Sequence, residues 1–221
     1  MIKDTPHIRK LPYERSPTAI YKQSFATVQK EARLDRFPDD LHAVATRLIH
    51  ACGMVEIADR LSFSQDAGQA GRDALLAGKP ILCDCEMVGA GIIRRYLPND
   101  NQVIVTLNDP SVPDLAKEIE NTRSAAAVEL WKNHLDGAVV AIGNAPTALF
   151  HLLELIDAGY PKPACILGFP VGFVGAAESK AELASNSRGC DFVALRGRKG
   201  GSAMASAAVN ALAAGLIEIK Q

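Results

Sequence analysis

Gly137-Ala-Val-Val-Ala-Ile-Gly-Asn-Ala-Pro-Thr147 is an unbroken apolar run that stops at a glycine, passes through small residues and turns at a proline into a helical pattern. An apolar run without polar alternation reads as a strand covered on both faces, and proline after the turn suits the first position of a helix. The same reading applies to Pro80–Asp84, Gln102–Leu107, Ala164–Gly168 and Phe192–Arg196, each bounded by glycine, proline or polar residues and separated by helical stretches. Short buried strands alternating with helices imply a mostly parallel sheet of about five strands inside a three-layer α/β/α sandwich.

The helices carry their own start and stop signals. Ser16 precedes Pro17, and from there Ile20, Ser24, Val28 and Ala32 fall on one stripe, which sets Ser24 among apolar neighbours. A second helix begins near Pro38 with Asp39 and Asp40 in its first turn, repeats Leu41, Val44, Ala45, Leu48, Ile49 and Cys52, and stops at Gly53. No internal repeat, linker or long charge run divides the 221 residues, so residues 1–221 are expected to form a single domain.

Composition narrows the function classes. The chain is 48% hydrophobic and 22% charged, an ordinary globular balance. Its formal net charge is −1, and the cations are scattered apart from Arg196-Gly-Arg198-Lys199, so no global field favours nucleic acid. Residues 1–16 hold no signal-like apolar stretch, and no later run approaches the roughly 18 residues of a membrane span, which predicts a soluble, cytoplasmic protein. Cys52, Cys83, Cys85, Cys165 and Cys190 lack zinc-site spacing and read as reduced thiols, with Cys83 and Cys85 as core residues; no metal is assigned.

Ligands of parallel sheets usually bind beyond the carboxyl ends of the strands. Three loops suit that role. Ile142–Thr147 contains Gly143 and Asn144, the latter a possible helix cap. Leu167–Ala176 contains Gly168, Gly172 and Gly175, and Arg196–Ser202 adds three cations with Ser202 as a plausible N-cap. Together they suggest a wide mouth rich in backbone donors, although the cationic turn reads equally as a solvated one. Neither G-x-G-x-x-G nor a Walker G-K-[ST] motif is present, which argues against nucleotide binding.

His50 projects on the side of its helix opposite Leu41, Val44, Ala45 and Leu48, beside Ala43 and Thr46. It is either an exposed imidazole at a helix end or a titratable group facing a ligand cavity or partner subunit. Arg123 follows Asn121 and Thr122, which could recap an interrupted helix; it is a candidate carboxylate ligand or a surface arginine. Glu86 faces a ligand or simply serves a helix's first turn.

Several segments, in matching order across nearly the whole chain, resemble the precorrin-8X methylmutase family. They are Ala19–Ser24, Ile49-His-Ala-Cys-Gly53, Pro80–Asp84 with Glu86-Met-Val88, Asn121–Ala125, Val140–Ala148, Gly168–Lys180 and Gly197–Ser202. Residues 1–16 look like an extension beyond the usual start, and Cys85 stands where a small residue is expected. The resemblance implies an α/β/α homodimer with its active site near the subunit interface. It implies a 1,5 shift of a methyl from C-11 to C-12 of precorrin-8X, giving hydrogenobyrinate, without a cofactor. It makes His50 the proton donor to the tetrapyrrole and puts Ser24 and Arg123 at substrate-binding positions; the loop residues Gly143, Asn144, Gly172, Gly175, Arg196 and Arg198 are expected on the rim from their place after the strands.

That chemistry suits the residues. An intramolecular methyl shift needs neither hydride acceptor nor external donor, only the right ring tautomer and a macrocycle held still. General-acid assistance typically supplies about 10²–10⁴-fold, and positioning and electrostatics supply the rest. A corrinoid-binding carrier without turnover is the alternative, followed by an α/β enzyme acting on phosphorylated small molecules.

Overall fold

A computed structural model describes residues 10–219; residues 1–9 of the expected extension lie outside the described residues, and Lys10–Ser16 run exposed along the surface. From the amino end come helices α1 (Pro17–Glu31) and α2 (Asp39–Cys52), then strand β1 (Leu61–Phe63) and α3 (Ala67–Leu76). Next are β2 (Ile81–Cys83), α4 (Glu86–Gly91), β3 (Val103–Val105), α5 (Val112–Glu118) and α6 (Arg123–Glu129). The chain closes with β4 (Val139–Ile142), α7 (Pro146–Asp157), β5 (Cys165–Gly168), α8 (Ala176–Ser185), β6 (Asp191–Leu195), α9 (Ser202–Ala213) and α10 (Leu216–Ile219).

All five strands expected from the apolar runs are present and parallel, in the order β6-β5-β4-β2-β3. A sixth, β1, extends the sheet antiparallel to β6, with Leu61 opposite Leu195 and Phe63 opposite Val193. Leu61-Ser-Phe63 is too short to show a period, so its strand character comes from pairing with β6 and not from local pattern.

Alternation of side chains across the pleat divides the core in two. Cys83, Val139, Ala141, Cys165, Leu167 and Val193 face the cluster built by α2, α3 and α9. Leu82, Val140, Ile142, Ile166 and Phe192 face the cluster built by α7 and α8. Val139 through Ile142 are fully buried, and sealing a valine or isoleucine from water contributes about 1.5–3 kcal/mol.

The strand order reverses between β2 and β4. Helix α4 leaves β2 toward the α2/α9 face, since Val88 and Ile92 join that cluster, while α7 leaves β4 toward the other, where Ala148 and Leu149 pack. Loops diverging to opposite faces open a crevice at the carboxyl ends of the strands, the usual ligand position in such sheets. Here Asp84 bridges that crevice.

Candidate active site

The site is built from the amino end of the chain upward. Ser16 caps α1, its Oγ accepting the N–H of Ala19 at 3.3 Å with Pro17 in the first turn. Of the apolar stripe on α1, only Val28 is buried; Ile20 remains 45% exposed, so the amino-terminal half of the helix overhangs a hollow instead of packing down. Helix α2 is closed by Gly53 in the left-handed conformation at φ 68°, its N–H returning to the carbonyl of Ile49. This fixes His50 in the last turn of α2 directly under α1.

Ser24 Oγ and His50 Nδ1 share a hydrogen bond of 2.7 Å. The imidazole is also held by two rings of α1, with Phe25 edge-on at 5.4 Å and Tyr21 tilted at 5.3 Å. Among the described residues Nε2 has no hydrogen-bond partner. His50 is half-buried and forms a partition between two hollows. One, of about 420 Å³, is walled by Ile20, Gln23, Ser24, Thr27, Gly53 and Val55. The other, of about 300 Å³, is walled by Arg47, Met87, Ser202, Ser206 and Asn210. The imidazole thus borders two hollows and is not a fully solvated side chain at a helix end.

Arg47 was missed by sequence reasoning, although its spacing of three from His50 puts both on one helix face. It is half-buried and makes no hydrogen bond or ion pair among the described residues. It also lines a third hollow of about 550 Å³, mostly apolar, beside Phe25, His42 and Thr46. Tyr21, Phe25 and Met87 were likewise not foreseen, because their role depends on how α1 and α4 are set against α2.

The loops are less open to ligand than their composition suggested. The N–H groups of Gly143, Asn144 and Ala145 donate to Asp84 at 2.9, 2.9 and 2.8 Å. Burial pushes the Asp84 carboxyl upward in pKa, and those three N–H donors oppose the shift by stabilising the anion. Gly143 is a packing glycine, since a Cβ there would lie 2.7 Å from Ser202 Cα and 2.9 Å from Val88 Cγ2. Asn144 does not cap α7, whose cap is Ala145, and Ser202 does not cap α9 but shares a hydrogen bond of 3.4 Å with Cys85. The N–H of Gly172 donates to Arg198 and that of Gly201 to Phe169, so these two loops are sewn together. Gly175, at φ 79°, leads into α8.

The cations of the third loop divide. Arg196 donates to the carbonyl of Asp59 at 3.2 Å, and Lys199 pairs with Glu56 at 2.7 Å. Arg198 is exposed and lies over the Phe173 ring at 5.4 Å. Arg123 is the first residue of α6, capped by Thr122 as anticipated. Its guanidinium reaches the carbonyl of Leu107 at 3.2 Å and Asn108 Oδ1 at 3.4 Å, and Asn108 in turn donates to Glu86. Arg123 lines neither of the hollows that His50 divides. The structure therefore joins Ser24 to His50 and holds Arg123 apart from them, against Leu107 and Asn108.

A model of the precorrin-8X methylmutase family matches residues 19–215, a span that includes Ser24, Arg47, His50 and Arg123. The chain belongs to the precorrin-8X methylmutase family. It is 63% identical over 203 residues to the precorrin-8X methylmutase of Pseudomonas aeruginosa, covering 92% of this chain and 98% of that one. It is 58% identical over 201 residues to the precorrin-8X methylmutase of a Sinorhizobium species, covering 91% and 96%. The solved precorrin-8X methylmutase of Thermus thermophilus superposes with a TM-score of 0.81 at 38% identity, covering 91% of this chain and 97% of that one. As a precorrin-8X methylmutase the chain is an isomerase of cobalamin biosynthesis. In this fold Ser24 and His50 line the hollow between α1 and α2, while His50 and Arg47 line the adjoining one between α2, α4 and α9.

Proposed function

We propose that this chain converts precorrin-8X to hydrogenobyrinate by a 1,5 shift of one methyl from C-11 to C-12, with His50 as the proton donor. The observation that carries the reading is an imidazole tied to Ser24 through Nδ1 at 2.7 Å, with Nε2 unpartnered between two hollows. A bond at Nδ1 fixes the ring's orientation, which leaves Nε2 to exchange a proton with the macrocycle. Protonation of the conjugated ring selects the tautomer in which the C-11 to methyl bond breaks as the C-12 bond forms. Return of the proton to His50 leaves the molecular formula unchanged. No electron acceptor or methyl donor enters this balance.

The acidic arms of the substrate need cations around the imidazole. Arg47, without a partner among the described residues, is the nearest in sequence and shares a hollow with His50. Arg123 and Arg198 extend the positive rim, and Ser24 serves both the imidazole and the substrate. Gly143, Asn144, Gly172 and Gly175 shape the rim more than they donate to it, and Arg196 contributes charge from the adjoining turn. The enzyme acts as a homodimer whose second subunit closes over the half-exposed Ile20 and Tyr21 and the largely exposed Met87. Among the described residues no helix is long and apolar enough to cross a membrane, in keeping with a cytoplasmic enzyme.

His50→Ala tests the assignment. The variant is expected to bind the tetrapyrrole while failing to convert it, followed by the visible spectrum under single-turnover conditions. Full conversion by the variant refutes the role of His50. A wild-type chain that binds precorrin-8X and leaves its spectrum unchanged is a carrier instead.

A further inference from the structure

Lys180 is completely buried in the middle of α8, yet no carboxylate pairs with it among the described residues. A lysine without a counter-ion is costly to bury, because its ammonium loses water and gains only what neutral acceptors return. Burial accordingly lowers its pKa from 10.5 to about 8. Its acceptors here are two backbone carbonyls from different loops, Pro170 at 2.9 Å and Lys199 at 2.6 Å.

The same two loops are also joined backbone to backbone. Gly201 donates to the carbonyl of Phe169 at 2.8 Å, and Gly172 donates to that of Arg198 at 3.2 Å. A Cβ on Gly200 would collide with the carbonyl oxygens of Phe169 and Pro170, so the segments touch with no side chain between them. Lys180 crosses beneath this seam and grips both sides of it.

Above the seam sit two apolar side chains that the fold leaves outside its core. Phe173 is 84% exposed and Val174 89% exposed, bracketed by Gly172 at φ 146° and Gly175 at φ 79°. Arg198 lies over the Phe173 ring at 5.4 Å. An apolar ring face beside a guanidinium matches a flat conjugated macrocycle with carboxylates on its edge. The second loop also leads straight into Ser202, a wall of the hollow that His50 lines.

We infer that Lys180 is a positioning residue whose ammonium locks the two loops together, so that Phe173 and Arg198 form one substrate-gripping element at the edge of the His50 site. The inference rests on the tetrapyrrole reading above. The lysine touches no substrate; it acts through the loops it joins.

The test is a cycle on the full chain that combines Lys180→Met with the pair Phe173→Ala and Arg198→Ala. Affinity for hydrogenobyrinate is read by visible absorption, turnover of precorrin-8X by single-turnover spectra, and folding by thermal melting. Lys180→Met is expected to weaken binding about tenfold with kcat within about threefold, because His50 and Ser24 are untouched. In the Phe173→Ala and Arg198→Ala background the same change is expected to cost less than about threefold, since residues acting as one unit are not additive. Additive losses, or unchanged binding in Lys180→Met, overturn the inference. Lys180→Gln, which keeps N–H donors without charge, accompanies it; if neither variant melts cooperatively, the lysine is structural and the inference is wrong. If the wild-type chain itself neither binds nor converts the tetrapyrrole, the functional reading fails first, and that is read from the wild-type arm alone.

Discussion

Asp84→Asn removes one charge and changes one acceptor atom into a donor at the switch point of the sheet. Asp84 is 2% exposed, with Oδ1 accepting from Gly143 and Oδ2 from both Asn144 and Ala145. The amide oxygen of asparagine takes the Oδ2 position, where it keeps two bonds. Its NH2 group then faces the N–H of Gly143, donor against donor. Two bonds weaken from charge-assisted, about 1.5–3 kcal/mol each, to neutral, about 0.5–1.5 each, and a buried N–H left without an acceptor costs about 1–3 more. Relief of burying a carboxylate, whose pKa burial pushes up, offsets part of this. The net expectation is a loss of about 3 kcal/mol in unfolding free energy, measured by urea denaturation with far-UV circular dichroism at pH 7. Because Gly143 packs against Ser202, turnover should fall alongside stability. A loss below about 1 kcal/mol would refute the view that this carboxylate holds the β4–α7 loop shut.

Four further outcomes are expected. Ser24→Ala removes one partly buried hydrogen bond, worth about 0.5–1.5 kcal/mol, and should lower kcat roughly 2- to 10-fold with the melting temperature nearly unchanged; wild-type kcat would remove Ser24 from the site. Arg47→Ala should raise KM for the tetrapyrrole at least about tenfold, as loss of a charged contact to carboxylate, with single-turnover rates at saturation little altered. Gly143→Ala should destabilise by about 1–3 kcal/mol through collision with Ser202 and Ala205, seen as a lower urea midpoint. Asp157 is held below its usual pKa of 3.8 by the Arg188 guanidinium. A lowered carboxylate pKa stabilises the fold above the unfolded value and ceases to as pH falls through the folded one. Asp157→Asn should therefore be less stable than wild type at pH 7, with the difference fading below pH 3.8 in paired urea titrations.

What the residues reveal locally and what they reveal only in three dimensions separate cleanly here. The strand at Val139–Ile142 and the caps at Ser16 and Gly53 rest on interactions within a few residues, so their reading from pattern agrees with the structure. Strand β1 needs β6 beside it, more than a hundred positions later, and shows no pattern of its own. The loop donors at Gly143 and Asn144 look free until Asp84, some sixty residues earlier, is set beside them. Arg47 was within reach, since a helix places it one turn from His50, but its lack of a partner is a tertiary fact. The separation of Arg123 from His50 also depends on where α6 sits relative to α2.

The closed crevice explains why the imidazole is on a helix and not at a strand end. In an open parallel sheet the diverging loops at the order reversal offer N–H groups to an anion. In this chain the Asp84 carboxyl takes those N–H groups, so the crevice is filled by the protein's own side chain. The free surface moves outward to where α1 overhangs α2 and where α4 and α9 approach each other, and there His50 Nε2 and the Arg47 guanidinium are unpaired among the described residues. A flat macrocycle suits such a surface better than a crevice, because its face needs breadth and its acidic edge needs cations spread along a rim. Lys180 beneath the opposite rim and Asp84 under the centre would then play matching parts. Each is a buried ionisable group answered by backbone groups, and each fixes a loop beside the proposed substrate site.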